Sequence, residues 1–126
     1  MSVTFETEAR VRIADLENLR AKLLVAQAQY NLLEMAEKAE RVRAEMRKIA
    51  SCGGDPKSLG GNDTDRGRVL ISALLEDKDY LEARQVLMSA WEQRAIALVD
   101  LETGQDWFRL LLALIGAQSL IGAQGA

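Results

Sequence analysis

Two pairs of carboxylates stand three residues apart on helix-forming sequence, Glu34 with Glu37 and Glu76 with Asp79. That spacing puts both side chains on one helix face and in principle allows acid–base work. Nothing else gathers around them. The chain has no histidine, which excludes a Glu-x-x-His di-metal site and every Ser–His or Cys–His nucleophile. Cys52 is the only cysteine, so an intramolecular disulfide and the usual thiolate metal sites are excluded as well. It lies in Ser51-Cys52-Gly53-Gly54, just past a predicted helix end, where the helix dipole would not stabilise a thiolate. A bystander thiol is the reading, with an intermolecular disulfide in an oxidising compartment as the alternative.

The segment SCGGDPKSLGGNDTDRG, residues 51–67, holds the only proline and many of the glycines, but not the GxxxxGK[ST] order of a phosphate loop. Asp63-Thr64-Asp65 offers fragments of a calcium loop without its glycine or its bidentate glutamate. No catalytic residue, cofactor or metal is therefore expected, and the chain reads as non-enzymatic.

The elements that carry these residues are more informative than the residues. From about Glu6 to Ala50 there is no Gly or Pro, and the stretch is dense in Ala, Leu, Glu, Arg and Lys, so one long helix is predicted. Thr4 can cap its start, and Arg47 and Lys48 suit the negative end of its dipole. Two apolar seams run along it at the alternating three–four spacing of coiled coils. One comprises Val25, Ala28, Leu32, Met35, Ala39, Val42, Met46 and Ile49; the other, expected on an adjacent stripe, comprises Leu16, Leu19, Leu23, Ala26, Tyr30 and Leu33. A helix with two seams normally touches two neighbours, although a broad core face in a monomeric bundle would look the same. A charge at Leu32, where both stripes overlap, should disrupt the hairpin or its assembly.

The glycine-rich stretch 51–67 is the linker, with Asp63 or Thr64 capping a second helix over about 65–103. Leu70, Leu74, Leu81, Leu87, Trp91, Ala95, Leu98 and Leu101 approximate its inner face, and Asp77-Lys78-Asp79 crosses that face, which makes a short break there an open alternative. Gly104 is expected to stop this helix and Asp106 to cap a third, apolar one over about 106–121. The predicted fold is all-α: a single helical unit, 1–126, built as a long antiparallel helical hairpin with a short apolar C-terminal helix. That last helix falls short of the roughly 20 apolar residues a membrane crossing needs, so it should dock on the hairpin, or alternatively touch a partner protein or a membrane interface.

The net charge is −3 over 126 residues, with both signs interspersed, so no basic stripe awaits nucleic acid. The run Arg41, Arg43, Arg47, Lys48 is offset by Glu37, Glu40 and Glu45 and reads as a solvated face. The N-terminus has no basic region followed by an apolar one, so a cytoplasmic location is the default expectation.

Residues 21–33, AKLLVAQAQYNLL, together with Tyr80-Leu81-Glu82-Ala83-Arg84-Gln85-Val86-Leu87 and Ala97-Leu98-Val99-Asp100-Leu101-Glu102-Thr103-Gly104 followed by Trp107, resemble the α-helical hairpins of TolC-like outer-membrane efflux proteins. The resemblance covers about two thirds of the chain and rests on an Ala/Leu-rich, Gln-containing style. It implies long hairpins packed side by side into a periplasmic tube, each helix contacting two neighbours, and a cell-envelope location. The chain departs from that family in being far shorter and in lacking alternating barrel strands. It would then be a detached or truncated helical portion of such a component.

The function expected from the residues themselves is that of a helical assembly or adaptor module, working through coiled-coil-type packing with itself or a protein partner. The residues expected to carry the interaction are Val25, Leu32, Met35, Val42, Met46, Ile49, Trp91, Trp107 and Leu111.

Overall fold

The computed structural model describes the backbone of residues 2–125 and the side chains of residues 4–122. The chain is all-α over the described residues: α1 (Ser2–Ser51), a 3-10 turn (Pro56–Leu59), α2 (Asp63–Glu76) and α3 (Lys78–Gly125). With no glycine or proline to stop it, α1 begins before Thr4, which sits inside the helix rather than capping it.

Helix α1 ends in a Schellman motif. Gly54 N–H donates to the Ile49 carbonyl (3.0 Å) and Gly53 N–H to that of Ala50 (3.3 Å), with both glycines at positive φ (100° and 84°). Asp55 then caps the 3-10 turn by accepting from the Lys57 amide (3.0 Å), and Leu59 is buried beneath it. The cap of α2 is Asn62, whose Oδ1 accepts from the Asp65 amide at 2.9 Å, one position ahead of the expected Asp63 or Thr64. Asp65 occupies the first turn as expected, and Asp63 joins it there, where the dipole favours both.

Two boundaries differ from the expected helix over 65–103. The chain does break at Asp77, which adopts an extended conformation (φ −84°, ψ 114°) between α2 and α3. Its Oδ1 accepts from the Tyr80 amide (3.0 Å), the short acidic side chain replacing a helical bond with a cap. Gly104 does not end a helix. It lies inside α3, so the apolar segment 106–121 continues that helix rather than forming a separate one.

Contacts divide the chain into two compact units, one of residues up to 27 and from 93 onward, the other of residues 28–92. In the first, Arg94 donates to Gln27 (3.2 Å), Leu16 and Leu19 meet Gly104, and Arg12 shares a groove with Leu111 and Leu114. As numbers fall along α1 they rise along α3, so the two segments run antiparallel. A Cβ on Gly104 would stand 2.9 Å from Leu19 Cδ1 and 3.2 Å from Leu16 Cδ2. The glycine survives inside α3 because its missing side chain is where those leucines sit, which offsets its weak helix propensity.

In the second unit, α1 again runs against the returning chain: Arg47 binds Asp77, and Glu37 and Arg41 lie beside Arg84 and Leu87. The covered face of α1 here runs through Tyr30, Leu33, Glu37, Glu40 and Ala44, with Glu34, Glu45, Lys48 and Ile49 partly covered beside it, and that of α3 through Tyr80, Ala83, Leu87 and Ala90. Each set keeps the three–four alternation of a coiled coil.

Candidate functional site

Of the two seams on α1, the structure pairs the one containing Leu16 and Leu33, which continues through Glu37 and Glu40 to Ala44. At 100° per residue the Val25-to-Ile49 seam points about 170° away from it, so the two stripes lie on nearly opposite sides of the helix, not adjacent. Leu32 is 68% exposed, Met35 68% and Met46 63%, with Val25 and Val42 also more than half exposed; only Ile49 is partly covered. A charge at Leu32 would therefore not disturb the hairpin packing, and of the two expected effects only the one on assembly remains.

The inner face of α3 follows the apolar pattern only in part. Leu87, Ala95 and Leu101 are covered as expected, but Leu81, Trp91 and Leu98 are exposed, and Tyr80 and Ala90, outside that pattern, are buried. Alternate positions along the covered face of α3 are Ala83, Ala90, Ala97 and Gly104, one small residue every seventh position, which lets two helices approach closely but carries little hydropathy signal. Among the remaining interaction residues, Trp107 is 57% exposed, whereas Leu111 is 8% exposed and already engaged in the first unit, so it is not available to a partner. Exposed Leu110, Leu112 and Leu114 surround it.

In the second unit the covered face holds a polar network. Glu37, 5% exposed, accepts from Arg41 Nη2 at 3.0 Å. That hydrogen bond, and a second to Tyr80, hold the Arg41 pKa above its ordinary value. Arg84 Nη1 donates to the Tyr80 hydroxyl at 3.2 Å. One turn further, Arg47 grips Asp77 with both ends of its fork, Nε to Oδ2 at 3.1 Å and Nη2 to Oδ1 at 2.9 Å. The Tyr80 amide, and after it Arg47, hold the Asp77 carboxyl below the usual carboxylate range. Glu40 Oε1 accepts from Arg43 (2.9 Å), and its buried Oε2 lies 3.7 Å from Arg47, beyond hydrogen-bond reach.

The carboxylate pairs do not converge on a reacting centre. Glu34 is paired with Lys38 at 3.3 Å and Glu37 with Arg41, while Asp77 separates Glu76 and Asp79 onto different helices. A groove of about 250 Å³ between Tyr30 and Trp91 is flanked by Arg41 and Arg84, whose guanidinium groups already face Glu37 and the Tyr80 hydroxyl. Among the described residues no cluster of three or more Cys, Asp or Glu side chains is placed to hold a metal ion, and no helix is long and apolar enough to cross a membrane.

The candidate site is thus a surface, the outer face of α1, bounded by interspersed charges and opposite a face that is already covered. Comparison with protein-family models, with curated proteins and with solved structures finds no match.

Proposed function

We propose that the chain is a non-enzymatic helical assembly module that presents the outer face of α1 to a helix of another molecule. One observation carries this reading: an unbroken apolar stripe with coiled-coil spacing stays exposed although the opposite side of the same helix is paired. A monomeric bundle helix has a polar outer face. Here four large apolar residues, Leu32, Met35, Val42 and Met46, remain in water, a surface of the kind that marks an interaction site.

The opposed seams also support a second reading, a helical portion of a TolC-like envelope component, because a helix in a tube wall has neighbours on both sides. Ring-like or trimeric association would favour it over the simple module.

The test is solution mass by light scattering behind a sizing column over a wide concentration range, with reducing agent to silence Cys52. The wild-type chain is expected to associate, and Leu32→Asp to weaken association at least 100-fold with the melting of the monomer nearly unchanged. Association indifferent to Leu32→Asp would refute the outer face as the contact.

A further inference from the structure

Resting on that reading, we infer that the occupant of the outer α1 face is the same face of a second copy, laid antiparallel, with Leu32 opposite Val42 of the other copy. The inference comes from the order of side-chain sizes along the stripe in the second unit: Ala28, Leu32, Met35, Ala39, Val42, Met46. In an antiparallel coiled coil the two kinds of seam position face each other, so the register that centres the stripe on its own middle pairs Ala28 with Met46, Leu32 with Val42 and Met35 with Ala39. Each alanine then faces a methionine, the side chain best able to fill an irregular gap. A parallel pairing instead stacks Ala28 on Ala28 and Met35 on Met35, alternating underfilled and crowded layers.

The small-against-large rule is the one the chain already uses where Gly104 receives Leu16 and Leu19. Neighbouring antiparallel registers are worse for a definite reason. Sliding by one heptad in one direction sets the polar Asn18 in a core layer against Ile49. Sliding in the other sets Ala28 against Gly53, past the end of α1, and leaves it without an opposing stripe residue. In the preferred register Ala36 of each copy flanks the two-fold axis on one side and Lys38 on the other. The lysines repel weakly, since each is paired with its own Glu34 at 3.3 Å. Salt should therefore tighten the dimer rather than loosen it.

The experiment is disulfide trapping in the full chain with Cys52→Ser. Ala36→Cys, at an exposed position, is expected to form a covalent dimer under mild oxidation, while Ala28→Cys is not. A mixture of Leu32→Lys and Val42→Glu chains should dimerise at least tenfold more tightly than either alone. Trapping through Ala28→Cys instead would overturn the antiparallel register and leave the assembly reading standing. No trapping at either position, with a monomeric mass that Leu32→Asp does not alter, would overturn both.

Discussion

The two faces of α1 in the second unit invert the usual order. The covered face carries Glu37 and Glu40, while the bare face reads Ala28, Leu32, Met35, Ala39, Val42 and Met46 without a charge. Apolar content therefore does not decide which side of this helix meets the returning chain. What decides it is complementarity with α3: Ala83 and Ala90 on its covered face let the two helices approach closely, and Tyr80 holds the Arg41 guanidinium that in turn pairs with the Glu37 carboxylate. A buried carboxylate is tolerable only when such partners are present, which makes the inner face specific, whereas the outer face is merely sticky.

The contrast can be broken most severely at Tyr80, which is 3% exposed and touches the network through its hydroxyl. Tyr80→Ala should cost about 3–5 kcal/mol in urea or thermal unfolding, the range for deleting a buried aromatic ring. Met46→Ala, 63% exposed on the other face, should stay within about 0.5 kcal/mol under conditions where the chain is monomeric. Equal costs for the two would mean that the faces are not different in the way described.

A smaller effect is expected at Gly104, where the contrast extends to α3 in the first unit. Gly104→Leu must displace Leu16 and Leu19 and should destabilise by about 1–3 kcal/mol. Gly104→Ala sets a gain of about 1 kcal/mol in helix propensity against a contact of 2.9 Å with the mobile end of Leu19, so it should be close to neutral. Chemical denaturation of the two variants side by side separates the role of a small seam residue from that of a helix breaker. A strong loss in Gly104→Ala would show that the leucines cannot yield.

Much of this was legible in the residues. The helical class, the long glycine-free first helix, the linker and the spacing of both seams follow from propensity and periodicity. The choice between the seams does not, because the paired one passes through Glu37 and Glu40 on α1 and through Arg94 and a series of alanines on α3, none of which raises an apolar signal. Gly104 misleads for the same reason: a glycine at the seventh position after Ala97 is a packing residue, but seen without its neighbours it resembles a helix stop. Asn62 precedes Asp63 and Thr64, which cap equally well in isolation, so only geometry picks it out. The candidate site was visible as a pattern, while its exposure depended on which pattern the rest of the fold used.

The last difference between the faces is in their response to acid. Nothing on the outer stripe titrates, whereas the paired side of α1 is clasped through Arg47 to Asp77, whose carboxyl is held low by the Tyr80 amide and by Arg47. A carboxylate with a depressed folded pKa stabilises the fold fully above its unfolded value of about 3.9 and loses that contribution as pH falls through the lower folded value. Stability of the second unit should therefore drop below about pH 4, and the drop should shrink in Asp77→Asn, which keeps an acceptor for the Tyr80 amide but has no proton to gain. Thermal melts from about pH 6 to about pH 2.5, run on both proteins in roughly 0.5 M salt to suppress long-range repulsion, measure this directly. Parallel curves for the two would assign the acid sensitivity to other carboxylates, and would reduce Asp77 from a pH-dependent clasp to a cap that marks where α2 gives way to α3.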